Sequence, residues 1–200
     1  MLLNLPTALT WARIVVIPLF IGVFYLPDVW ISPADKNLYA TLMFVGAAVT
    51  DWLDGYLARS LNQTSRFGEF LDPVADKLMV SAALIILVEL ERTNTIVAFI
   101  IIGREIAISA LREWMAKLGA GRSVAVSMLG KIKTTAQMIA IPLLLYYTDL
   151  YGIPAAWLGS WLIWVAAVLT VWSMAYYLRK AWPEIRKHGQ STTNGATEKS

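Results

Sequence analysis

D-W-L-D-G-Y-L-A-R-S-L-N-Q-T-S-R-F-G-E-F-L-D-P-V-A-D, residues 51–76, sets four carboxylates between long apolar runs: Asp51, Asp54, Asp72 and Asp76. An acid beside hydrocarbon needs a partner, because an isolated buried carboxylate is very costly. Asp51 and Asp54 are spaced i, i+3, and Asp72 and Asp76 i, i+4, so on helices each pair shares one face. The thirteen-residue connection, Arg59 to Leu71, lets two helices stand side by side with both pairs facing inward. Four clustered anions with neither histidine nor cysteine nearby suit a hard, oxygen-liganded cation, Mg²⁺ or Mn²⁺. Four carboxylates suffice for two ions, and a two-metal site can clamp a phosphoryl group. A lone D-x-x-D would be a weak signal, and Asp72 alone could be only a helix N-cap.

Around this stretch the chain is 58% hydrophobic and 16% charged. Soluble domains run at about 45–50% and about 25%. The mean hydropathy of +0.58 points to a polytopic membrane protein. A net charge of +3, with the basic residues scattered, excludes a nucleic-acid binder. There is no cysteine, and the single histidine, His188, lies in a polar tail, so disulfides and a His-rich metal site are excluded. Residues 1–12 carry no basic side chain, so the N-terminus reads as a retained first span rather than a signal peptide.

Six helices are expected. Residues 1–13 would lie along the membrane surface and 14–27 form most of the first span. Helix two would cover 37–58. Helix three would start at Asp72, with Pro73 in its first turn where a missing N–H is no loss, and end at Val88. Helices four, five and six would cover about 95–117, 124–148 and 155–182. Residues 1–182 make one membrane-embedded catalytic domain. The polar tail, 183–200, is expected to be disordered.

Several uncharged runs fall short of the about 20 residues that a bilayer span needs, which would also suit a soluble helical core. The charge pattern decides against that. With six helices and alternating loops, one side receives Arg13, Arg59, Arg66, Lys77, Arg112 and most other basic residues, and the opposite side only Lys36 and Arg92. This fits the positive-inside rule with both termini cytoplasmic. Helices two to five are then polar at their cytoplasmic ends and apolar at their outer ends, so the bundle must enclose a charged cavity. Ionisable residues inside a membrane are functional candidates by default. Trp157, Trp161 and Trp164 share one face of helix six, as lipid-facing or packing residues would.

Gly55 and Ala58 leave the surface of helix two bare, so a flat ligand can approach the backbone, and Arg59 offers a planar donor for phosphate. The run Asp51-x2-Asp54-Gly55-x2-Ala58-Arg59-x8-Gly68-x3-Asp72-x3-Asp76 matches all eight fixed positions of the CDP-alcohol phosphotransferase signature, and the chain resembles that family. Similarity extends to Asn4-Leu5-Pro6-Thr7…Thr10…Arg13, to Gly103-Arg104-Glu105-Ile106, and to Gly130-Lys131-Ile132-Lys133.

The resemblance implies a six-transmembrane-helix bundle, commonly dimeric, in the bacterial inner membrane. It implies transfer of a phosphatidyl group from CDP-diacylglycerol to sn-glycerol 3-phosphate with release of CMP. It assigns Asp51, Asp54, Asp72 and Asp76 to two Mg²⁺ or Mn²⁺ ions, Gly55, Ala58, Arg59, Ser65 and Gly68 to the CDP site, and Asp76 to the base that deprotonates the acceptor hydroxyl. A dianionic acceptor needs its own cations. Arg104 and Arg112, eight apart, lie on nearly one helix face, and Lys131 and Lys133 follow on helix five, with Lys133 favoured and Arg122 a weaker candidate. Arg104 could instead be a structural ion pair, although adjacent Glu105 is expected to face away from it. Another acceptor, such as phosphatidylglycerol in a CMP-forming cardiolipin synthase, would fit the same motif. A divalent-cation transporter would leave Gly55, Ala58 and Arg59 unexplained.

Overall fold

The computed structural model describes residues 5–60, 66–117, 128–149 and 152–197. Within its helices the side chains of 5–7, 54–60, 66, 67, 69, 129, 131, 184, 185 and 187–197 are not described. Six helices form among the described residues: α1 (Leu5–Tyr25), α2 (Pro33–Ser60), α3 (Arg66–Glu89), α4 (Thr95–Lys117), α5 (Met128–Tyr146) and α6 (Ala155–Thr197). At about 1.5 Å per residue, α1 to α5 are each about 28–42 Å long. That is enough to cross a hydrocarbon core of about 30 Å.

Among the described residues, α1 over Ala8–Tyr25 and α6 over Ala155–Pro183 are the two helices long and apolar enough by composition alone to cross a membrane. In the four helices between them charged residues interrupt the apolar run, and the apolar part of α5 spans only Ile132–Tyr146. The distribution of core residues shows the same division. The main apolar core takes Phe20 from the second half of α1, Phe44 from the first half of α2, and Leu84 and Leu87 from the second half of α3. It adds Ile101 from the start of α4, Ile141 and Leu144 from the end of α5, and Ile163 from the start of α6. All lie toward one end of the bundle. Buried Arg13, Arg104 and Lys133 lie toward the other.

The apolar end is fastened by Arg92, in the turn between α3 and α4. Its guanidinium donates to the carbonyls of Leu144 (3.0 Å) and Leu145 (2.7 Å), the last turn of α5, and to Asn37 Oδ1 of α2 (2.8 Å). It also stacks on Tyr147, 4.3 Å from the ring centroid. A cation is favoured there because terminal helix carbonyls lack intrahelical donors. The α5–α6 pair is the most extensive helix contact. Gly159 makes it possible: a Cβ there would come within 2.9 Å of Leu144 Cγ. Small residues that let backbones approach are the usual device of helix packing in membranes. Trp157, Trp161 and Trp164 all face outward, more than half exposed.

Three boundaries differ from the sequence reading. α1 is one helix from Leu5, so 5–13 is not a separate surface segment, and 1–4 lie outside the described residues. α3 begins at Arg66 rather than Asp72, so Pro73 sits inside the helix, not in its first turn. Prolines inside membrane helices are tolerated because neighbouring groups satisfy the carbonyl they free, and α1, α5 and α6 also contain one. α6 continues through Pro183 to Thr197, making 183–197 helical where disorder was expected. Polarity shows that a segment cannot join a core. It does not forbid helix hydrogen bonds, which are all local.

Candidate active site

α1 carries two buried polar side chains, Thr10 and Arg13, 1% and 3% exposed. They are spaced i, i+3 and share a face. Arg13 Nη1 donates to Asp51 Oδ1 of α2 at 2.7 Å. Thr10 Oγ1 donates to Asp72 Oδ1 of α3. The first acid of each pair is thereby gathered onto one helix face. Asp72 lies within α3, which removes the N-cap reading for it. Asp76 stands one turn further along α3, within electrostatic reach of Asp51, Arg13 and Glu105.

Beyond Asp76 opens a cavity of about 250 Å³. α3 contributes Asp76 and Lys77, α4 contributes Arg104, Glu105 and Arg112, and α5 contributes Lys133. Four cations against two carboxylates leave a formal charge of +2 on its wall. Glu105 is its organiser. Its Oε1 accepts from Arg104 Nη1 at 3.1 Å and from Lys133 Nζ. Arg104 is buried, and its Nη2 donates to Ser173 Oγ of α6 at 3.4 Å. The ring of Tyr177, fully buried on α6, lies 5.8 Å from the Arg104 guanidinium and 5.6 Å from that of Arg112. Cations within about 6 Å of an aromatic face are attracted to it. The Nε atoms of Arg104 and Arg112 are buried without a hydrogen-bond partner among the described residues. A buried donor left unsatisfied is expensive, and here both belong to residues that wall a cavity.

Of the expected acceptor residues, Arg104, Arg112 and Lys133 come together in this cavity. The side chain of Lys131 and all of Arg122 lie outside the described residues. The expectation that Glu105 faces away from Arg104 is overturned. Adjacent residues on a helix diverge at Cβ, but both side chains are long, and Lys133 draws the carboxylate inward, where Arg104 can also reach it. On the CDP side, Gly68 is buried in the first turn of α3. Asp54, Gly55, Ala58 and Arg59 fall on the last turns of α2 with undescribed side chains, and Ser65 lies outside the described residues. No group of three acids gathers tightly enough to hold a metal among the described residues, a set that omits the side chain of Asp54.

Thr10, Arg13, Glu105 and Tyr177 were not picked out as site residues in the sequence. For three of them a signal existed: Thr10 and Arg13 interrupt the first apolar helix at i, i+3, and Glu105 is an acid in the middle of the fourth. Tyr177 gave none, since an aromatic on an apolar helix is ordinary.

Six helices that set aspartates of α2 and α3 beside a basic cavity, with an apolar core at the other end of the bundle, suit a membrane enzyme acting on phosphate esters. Residues 3–172 match the model of the CDP-alcohol phosphatidyltransferases, and the chain belongs to that family of polytopic, divalent-metal-dependent membrane enzymes. Among its curated relatives are the CDP-diacylglycerol–glycerol-3-phosphate 3-phosphatidyltransferases of Escherichia coli (strain K12) and Shigella flexneri serotype 5b (strain 8401). Each is 52% identical over 180 residues, covering 89% of this chain and 94% of the relative.

Proposed function

We propose that the protein transfers the phosphatidyl group of CDP-diacylglycerol to sn-glycerol 3-phosphate, giving phosphatidylglycerophosphate and CMP. The observation that carries this reading is the +2 cavity directly beyond Asp76. Glycerol 3-phosphate is a dianion, and a cavity whose wall carries the opposite charge suits it. The relatives are named for the same pair of substrates.

In this reading the phosphate of the acceptor lies against Arg104, Arg112 and Lys133, which share the cavity wall. The acceptor hydroxyl then points back toward Asp76, which shares the cavity wall. Asp76 takes the hydroxyl proton as the oxygen attacks the phosphorus that bears the diacylglycerol. A new P–O bond forms there, the diphosphate P–O bond breaks, and CMP leaves with that electron pair. Positioning of this kind, with a carboxylate in reach of the proton, is the main protein contribution to phosphoryl transfer. Gly55, Ala58, Arg59, Ser65 and Gly68 line the cytidine diphosphate side.

The donor set fits two Mg²⁺ or Mn²⁺ ions. Asp51 and Asp72 each give Oδ1 to an α1 donor, and no described group is bonded to the second oxygen of either. With Asp54 and Asp76 they would hold hard cations through oxygen alone. Such ions, when bound, supply charge neutralisation to the diphosphate. The protein is proposed to work as a homodimer in the bacterial cytoplasmic membrane. Its polar half and both termini would face the cytoplasm, on the side that receives most of the basic residues.

The test is an assay of CMP release by purified protein with CDP-diacylglycerol and each candidate alcohol. Release with glycerol 3-phosphate is expected. Release with phosphatidylglycerol but not with glycerol 3-phosphate would overturn the assignment.

A further inference from the structure

α1 is otherwise apolar through the membrane: from Ala8 to Tyr25, Arg13 is its single charge. Burying an arginine at 3% exposure in such a helix is unfavourable unless it is well paired, and an apolar side chain of similar volume would often be more stable. Neither Arg13 nor Thr10 is therefore explained by packing. Both are explained by what they touch. Three residues of helix advance about 4.5 Å along the axis, so one face of α1 presents two donors less than one turn apart. One donor reaches α2 and the other α3, and each engages the Oδ1 atom of an aspartate.

We infer that Thr10 and Arg13 are positioning residues: they hold one oxygen of Asp72 and of Asp51 so that the other oxygen of each is aimed at divalent metal. This rests on the reading of Asp51 and Asp72 as metal-holding carboxylates. Carboxylates that ligate metal are themselves oriented by outer hydrogen bonds, and loss of such a partner typically weakens metal affinity or activity by about 10–100-fold. α1 is thus a functional helix of the site through its hydrogen bonds to the two carboxylates. It also couples the two acid pairs. A shared brace on α1 ties the carboxylate of α2 to that of α3.

Thr10→Val tests this cleanly, because it swaps the hydroxyl for a methyl of similar size in an apolar helix and should leave folding intact. The measurement is Mn²⁺ binding to the purified, substrate-free protein, followed by the electron paramagnetic resonance of free and bound ion. Thr10→Val should weaken Mn²⁺ binding by about 10–100-fold, and Thr10→Ser, which restores the donor, should recover most of it. If Thr10 acts through Asp72, adding Thr10→Val to Asp72→Asn should cost almost nothing more, a coupling that separates direct from independent effects. Unchanged Mn²⁺ affinity in Thr10→Val, with a clear loss in Asp72→Asn, would overturn the inference and leave the metal site standing. Unchanged affinity in Asp72→Asn would instead overturn the assignment of the carboxylates themselves.

Discussion

Arg104→Ala separates acceptor binding from lipid binding. Arg104 supplies one of the four cations of the cavity, so its loss halves the formal wall charge from +2 to +1. A hydrogen bond to a charged group is worth about 1.5–3 kcal/mol, and each 1.4 kcal/mol is about tenfold. kcat/KM for glycerol 3-phosphate should therefore fall about 10–150-fold, mostly through KM. The fold should survive: Glu105 keeps Lys133, and Ser173 Oγ still donates to the Thr170 carbonyl at 3.0 Å. The assay is CMP release in detergent micelles, varying glycerol 3-phosphate at saturating CDP-diacylglycerol and then the reverse. The apparent KM for the lipid should move by less than about threefold, since a cation remote from the diphosphate gives it little binding energy. Arg104→Lys keeps the charge without the planar fork and should fall between the two. Equal effects on both substrates would refute the placement of the acceptor phosphate and return Arg104 to a structural ion pair.

Asp76→Asn should still bind Mn²⁺ and CDP-diacylglycerol but lose about 10²–10⁴-fold in kcat, the usual weight of a general base; full activity would remove Asp76 from the chemistry. Glu105→Gln raises the wall charge by one and leaves Arg104 and Lys133 without their shared carboxylate. It should unfold at a lower temperature, and inorganic phosphate should raise that temperature more than in the parent, because an anion binding the folded state stabilises it by mass action. An identical phosphate response in both proteins would show that Glu105 does not organise these cations. Gly159→Ala should destabilise the α5–α6 pair by about 1–3 kcal/mol, read from thermal unfolding, because the added methyl meets Leu144 Cγ at 2.9 Å. Its substrate KM values should stay at the parent level.

The number of helices, their order and the four aspartates were legible because each rests on local sequence. A helix period, a fixed i, i+3 or i, i+4 spacing and a run of apolar residues need no knowledge of the other helices. The start of α3 was not legible for a physical reason. Pro73 is a helix-start signal in water, and inside an apolar bundle the same residue can sit eight positions into the helix. The end of α6 failed for a related reason, since polarity reports on burial and not on helix formation.

The site divides along the same line. What lies within one helix could be read, and what joins helices could not. Asp51 is 38 residues from Arg13, and Asp72 is 62 from Thr10. Glu105 lies 28 residues from Lys133 and has an arginine as its neighbour. Local sequence marks such residues as polar groups in apolar helices but does not say which partner each one meets. Their burial requires one, because desolvating a charge is unfavourable unless a partner is fixed in place. In this bundle the apolar half, from Phe20 and Phe44 to Leu144, gives the stability that lets the polar half hold charges at low exposure. Arg13, Arg104 and Lys133 are each buried and each paired with a carboxylate. In the proposed reaction those carboxylates serve different ends: Asp51 turns toward metal, while Glu105 holds two cations ready for phosphate. Asp76 stands between the two systems without an ion pair among the described residues, which is what a base that must accept a proton requires.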